Sequence, residues 1–162
     1  MRDVAVVTAD LRNPRHEQDF RVLMQVYARD VMGGGTALGD DVLQRLPQEI
    51  LARPNVGVLL AYDGDRCAGM ATIIEGFSTF RAAPLLNIHD MVVAPEFRGR
   101  GISHALLRHA EQEARGRGCC KLTLEVLSEN HIAQASYRAF GFSDYTLDPA
   151  AGHALFWHKA LT

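Results

Sequence analysis

The chain reads as a mixed α/β fold, and three observations carry that reading. Short apolar or alternating runs bounded by turn residues recur at Val4–Thr8, Val56–Tyr62 and Leu85–Val93. Stretches of helical spacing lie between them, as in Phe20, Leu23, Met24, Tyr27 and Val31. The runs at 85–93 and 120–126 flank one such helix, which makes a βαβ crossover. A length of 162 residues fits one domain, 1–162, with a sizeable core.

Val4–Thr8 is the first predicted strand, and His16–Val31 an amphipathic helix stopped by Gly33-Gly34-Gly35. A second helical stretch begins at Asp40 or Asp41, with Val42, Leu43, Leu46 and Ile50 on its apolar side. Pro47 lacks an N–H and is expected to kink or split it. Val56–Tyr62 and Arg66–Glu75 form a hairpin around Asp63-Gly64-Asp65. The strand Leu85–Val93 ends at Pro95, which cannot donate to a ladder. A helix follows from Ile102 to Arg115, with Leu106, Leu107, Ala110 and Ala114 on one face, and Gly116 to Gly118 end it. In Cys120–Val126, Leu122, Leu124 and Val126 alternate with Thr123 and Glu125, as a strand requires. Asn130 is placed to cap a helix reaching Phe140 and closed by Gly141. Phe142–Leu147 and Ala154–Leu161 read as a last antiparallel pair around Asp148-Pro149.

Nineteen acidic against 17 basic side chains leave a net charge of −2, which argues against a dedicated nucleic-acid binder. The three cysteines, Cys67, Cys119 and Cys120, lack metal-ligand spacing, so a metal-free protein of a reducing cytoplasm is expected. The opening MRDVAVVTADLR carries acids too early for a signal peptide, and no stretch approaches a membrane span.

Residues 92–103, VVAPEFRGRGIS, carry the chemistry. A strand, a glycine-bearing turn and a helix start together aim backbone N–H groups at an anion. Gly99 and Gly101 allow close approach, and Arg98 and Arg100 add positive charge. The pattern reads as pyrophosphate recognition. It is neither GxGxxG nor GxxxxGK[ST], so dinucleotide and Walker loops are excluded. No G-x-S-x-G elbow supports a hydrolase built on Ser103, His104 and Asp90.

RGRGIS after a strand, followed about 27 residues on by NHIAQASYRAFGF, resembles the GNAT superfamily of acetyl-CoA-dependent N-acetyltransferases. Arg98 and Gly101 match the family's [QR]-x-x-G-x-[GA] loop, while Ser103 stands where glycine or alanine is usual. Asn130, Ala133, Tyr137, Gly141 and Phe142 match its second motif. The resemblance implies a mostly antiparallel sheet splayed in a V, with helices on both faces. It implies that Arg98, Gly99, Arg100, Gly101, Ile102 and Ser103 hold the pyrophosphate of acetyl-CoA. It further implies that Met91, Val92 and Val93, on a bulged strand, pair with the pantetheine arm, and that a Met91 or Val92 N–H polarises the thioester carbonyl. Asn130 would hydrogen-bond the pantetheine or a bridging water.

An amine attacking a thioester expels a thiolate, and a phenol beside the sulfur can protonate it. Tyr137 is the candidate acid. The attacking amine must first lose a proton near neutral pH. Glu125, on the strand before Asn130, leads as the base, with His89 and Asp90 as rivals whose alternation sends them to opposite sides of their strand. Segments 27–39, 77–84 and 148–153 are placed to choose the acceptor. The first is glycine-rich and expected to be mobile, and Asp30, Asp40 and Asp41 could attract a cationic amine. GFSTF and the following strand resemble parts of diamine acetyltransferases, with only half of their acidic pair, as His89-Asp90. A small-molecule amine is the first expectation; a protein N-terminus or lysine, or a coenzyme A-binding module without turnover, is the alternative. No membrane partner is expected. ALFWHKAL would leave an exposed apolar edge, so a homodimer through the C-terminal strands is expected.

Overall fold

A computed structural model describes residues 4–162. Asn13 starts the first helix, accepting the Arg15 N–H on Oδ1 at 2.9 Å, with Pro14 in the first turn where no N–H is needed. The elements are β1 (Val4–Thr8), α1 (Pro14–Arg29), a 3₁₀ turn (Val31–Gly33), α2 (Asp40–Leu51), β2 (Val56–Asp63), β3 (Arg66–Ser78) and β4 (Ala83–Val93). A 3₁₀ turn (Pro95–Phe97), α3 (Ile102–Gly116), β5 (Leu122–Leu124), α4 (His131–Phe140) and a 3₁₀ turn (Pro149–Ala151) complete them. Residues up to Leu124 form one compact unit and Glu125–Thr162 a second.

The sheet order is β1-β2-β3-β4-β5, antiparallel up to β4 and parallel between β4 and β5. The mixed, mostly antiparallel sheet is therefore as expected. In the first unit Phe20, Leu59, Leu60, Met70, Ile73, Leu86, Leu106 and Leu107 are fully buried, so the core lies between the sheet and its helices.

Three expectations need correction. Pro47 does not split α2, which runs unbroken through it with the proline ring buried. The ring leaves the carbonyl of Leu43 without its helical N–H, and the Arg21 guanidinium from α1 fills that gap at 2.9 Å. β5 is three residues long, since its ladder with β4 stops at Ile88–Leu124. Glu125 accordingly lies beyond the strand and not on it. The expected last strand pair is absent: between 142 and 162 the chain forms only the short turn at Pro149–Ala151. Leu155, Phe156, Trp157 and Leu161 are 74%, 80%, 81% and 90% exposed. Alternating apolar residues become a strand only where another strand's N–H and C=O groups face them, and this segment meets none within its unit.

Candidate active site

The site is built on β4. Ile73 of β3 faces Ile88, yet the next residue back, Thr72, faces Asp90, so His89 is an extra, bulged residue. Paired residues share a face and neighbours on β3 take opposite faces, so Ile88 and Asp90 lie on opposite faces of the sheet. The simple alternation expected for His89 and Asp90 is thus suspended. His89 is exposed and Asp90 half-buried. The β5 ladder also ends at Ile88, so Asp90–Val93 has no β5 partner. Met91, Val92 and Val93 pair with Ala71, Met70 and Gly69 on the other side. The bulge and the early end of the ladder together open one edge of β4, where an extended ligand arm can add its own hydrogen bonds.

Burial raises the Asp90 carboxyl above its ordinary range, tempered by His89 and the Thr72 hydroxyl. Thr72 is 6% exposed, and its buried hydroxyl lies beside the carboxylate without reaching hydrogen-bond geometry. Tyr27 of α1 is raised as well, first by burial, then by Asp90 and Asp30.

From β4 the chain passes through Pro95–Phe97 to Arg98 in extended conformation, Gly99 at φ +73° and Gly101 at φ +80°, and enters α3 at Ile102. A Cβ at either glycine would meet nothing within 4 Å, so the left-handed backbone, not crowding, selects glycine, and the space above the loop is open. The first turn of α3 has no acidic residue and no side-chain cap. That cradle fits a pyrophosphate: open space, a helix N-terminus and no carboxylate in the helix's first turn.

The two arginines do not simply add charge to it. Arg98 Nη2 donates to Asp30 Oδ2 at 2.9 Å, and its Nε to the Val93 carbonyl at 3.2 Å. Arg100 Nη1 donates to Asp63 Oδ2 at 3.1 Å, with its guanidinium 5.2 Å from the Phe97 ring centre. Each guanidinium is matched by a carboxylate, Asp30 for Arg98 and Asp63 for Arg100. Sequence reading missed both pairs: their partners lie 68 and 37 positions away, and no local pattern marks them.

The glycine-rich segment is tied back to the end of α1 by backbone hydrogen bonds. Gly33 and Gly35 donate to the Asp30 carbonyl at 2.8 and 2.9 Å, and Thr36 to Ala28 at 2.9 Å. A Cβ on Gly33 would sit 1.9 Å from the Tyr27 backbone carbonyl oxygen, so only glycine fits there.

In the second unit, Asn130 Oδ1 caps α4 by accepting the Ala133 N–H at 3.2 Å, and Gly141 at φ +111° ends the helix. Tyr137, late in α4, meets Phe142 edge-on with ring centres 6.0 Å apart. Glu125 is exposed at the start of that unit. Among the described residues, no group of three or more His, Cys, Asp or Glu could hold a metal ion. None of the described helices is long and apolar enough to cross a membrane.

The sequence profile of the Acetyltransferase (GNAT) family matches residues 23–142. The chain belongs to the GNAT acetyltransferase family. The acetyl donor of GNAT acetyltransferases is acetyl-CoA. Streptothricin acetyltransferase of Streptomyces lavendulae is 42% identical over 93 residues, covering 57% of this chain and 47% of that protein. The match thus spans about half the length of that curated relative. The crystal structure of a probable acetyltransferase has a TM-score of 0.80 at 22% identity, over 96% of this chain and 99% of the other. Aminoglycoside N-acetyltransferase AAC(6')-Iy, with the bisubstrate analogue CoA-S-monomethyl-acetylneamine, has a TM-score of 0.75 at 20% identity, over 98% and 99%. These likenesses in structure show the GNAT fold.

Proposed function

We propose that this GNAT enzyme transfers the acetyl group of acetyl-CoA to a primary amine of a small molecule, by direct attack in a ternary complex. One observation carries the reading: the bulged β4, open along one edge past Ile88, runs straight into the glycine cradle at α3. A pantetheine arm along Met91–Val93 and a pyrophosphate over residues 98–103 fit those two features in sequence. The Met91 or Val92 N–H polarises the thioester carbonyl in this reading. Tyr137 protonates the departing sulfur, and Asn130 supports the pantetheine. Glu125 takes the amine proton, with His89 as the alternative base. The likeness to streptothricin acetyltransferase favours a small-molecule antibiotic amine as acceptor. A cytoplasmic homodimer, joined through the exposed apolar residues of 154–161, completes the reading.

An amine panel with acetyl-CoA and a thiol-detecting dye tests it. The panel holds streptothricin, aminoglycosides, diamines, and peptides bearing a free N-terminus or a lysine. Thiol release with a small-molecule amine is the expected result. Turnover on peptides alone moves the acceptor class to proteins, and coenzyme A binding without release from any amine leaves a binding module.

A further inference from the structure

Asp30 closes α1 and opens the turn that follows. Its backbone N–H donates to the carbonyls of Val26 and Tyr27, and its own carbonyl accepts from Gly33 and Gly35. Oδ1 accepts the Met32 N–H at 2.9 Å, which leaves Oδ2 to receive Arg98. Arg98 at the same time holds the last carbonyl of β4 through Nε. One guanidinium therefore ties the end of β4, the start of the anion loop and the turn heading residues 27–39. The Met32 N–H, and then Arg98, hold the Asp30 carboxyl below its ordinary range, so it is charged at neutral pH and cancels the guanidinium.

We propose that Asp30 is a positioning residue of the acetyl transfer: it holds Arg98 against the α1 turn, restrains the loop's affinity for coenzyme A and links cofactor seating to the shape of residues 27–39. The proposal rests on the reading that the loop takes the coenzyme A pyrophosphate. With its guanidinium already engaged, the loop binds phosphate mainly through backbone N–H groups, and the nearby carboxylate repels the incoming anion. An acyltransferase must release coenzyme A at every turnover, and a loop of damped charge favours that release.

The sign of the effect is the test. Asp30→Asn and Asp30→Ser both keep an oxygen for the Met32 N–H and remove the charge. Each should bind coenzyme A about fivefold more tightly at low salt, with a steeper salt dependence that closes the gap near ~1 M. Asp30→Glu should retain the wild-type affinity and salt dependence. The acceptor KM should rise in Asp30→Asn and Asp30→Ser as coenzyme A binding tightens, a split that general damage does not produce. Calorimetric titration with coenzyme A and steady-state kinetics read both. Unchanged or weaker coenzyme A binding in both uncharged variants overturns the proposal. Wild-type protein that binds no coenzyme A overturns instead the reading of the loop on which it rests.

Discussion

Arg21 Nη1 of α1 donates to the carbonyl of Leu43, the very carbonyl that Pro47 deprives of its helical partner. Arg21 also bonds the Gln44 carbonyl at 3.2 Å and Glu17 at 2.6 Å, so it is anchored on both helices. The expectation of a broken helix failed because a residue of another helix, well upstream of the proline, repairs the defect. Arg21→Leu should lower stability by about 1–3 kcal/mol, the usual cost of an orphaned acceptor. The loss should be smaller in a Pro47→Ala background, where the substituted residue supplies an N–H of its own to Leu43. Urea denaturation of the four proteins in that double-mutant cycle measures the coupling.

Gly101→Val should leave the fold intact and abolish acetyl-CoA binding. A β-branched residue is strained at φ +80°, and its side chain projects into the open space above the loop. Circular dichroism reports the fold and calorimetry the binding; unchanged affinity in a folded variant refutes the assignment of the loop.

Tyr137→Phe should lower turnover by ~10²–10⁴-fold with little change in acetyl-CoA affinity, because the phenyl ring keeps the same volume. A general acid must be protonated, so its loss removes the alkaline limb of the pH–rate profile. A general base must be deprotonated, so Glu125→Gln should remove the acidic limb and be partly rescued at high pH. An unchanged acidic limb moves the role to His89, tested by His89→Ala.

Asp90 and Asp30 should show opposite dependences of stability on pH. Asp90 is raised on folding, chiefly by burial, so its favourable contribution is complete at low pH and lost as pH rises through its folded value. Asp90→Asn should therefore raise the melting temperature at pH 7, with the gain vanishing towards pH 3. Asp30 is lowered, chiefly by the Met32 N–H, so its contribution is present above its ordinary value and lost as pH falls through the folded one. Asp30→Asn should lower the melting temperature at pH 7 and do little in strong acid. Thermal melts at the two pH values decide both.

Light scattering across micromolar concentrations should give the mass of two chains. Trp157→Lys should shift that mass towards one chain, because it places a charge among the exposed apolar residues of 154–161.

Local signals served the sequence reading well. The hairpin turn, the Asn130 cap, the glycine that ends α4 and the span of α3 all follow from chemistry within a few residues of each position. The turn between β4 and α3 was legible as well, from the glycines at 99 and 101 just ahead of the helix start. What escaped was settled over distance: the repair of Pro47 by Arg21, the carboxylates facing Arg98 and Arg100, and the end of β5 opposite the bulge. A bulge itself has no residue signature in LLNIHDMVV, because it depends on how β3 happens to pair with it. The apolar alternation of ALFWHKAL was legible, but a strand is a property of two segments, and the partner was not in the pattern.

The single extra residue at 89 divides β4 into two halves, each in its own register with β3. Changing the chemistry of His89 costs the sheet little, since that residue opposes nothing on β3. Changing the length of the strand is another matter. Deleting position 89 would leave Asp90, Met91 and Val92 opposite Thr72, Ala71 and Met70 and on their present faces, but it would remove the bulge and with it the bend that separates the two halves of the strand. Chimaeras built by exchanging pieces with related acetyltransferases should therefore place their crossovers outside residues 86–103 and leave that interval's residue count untouched.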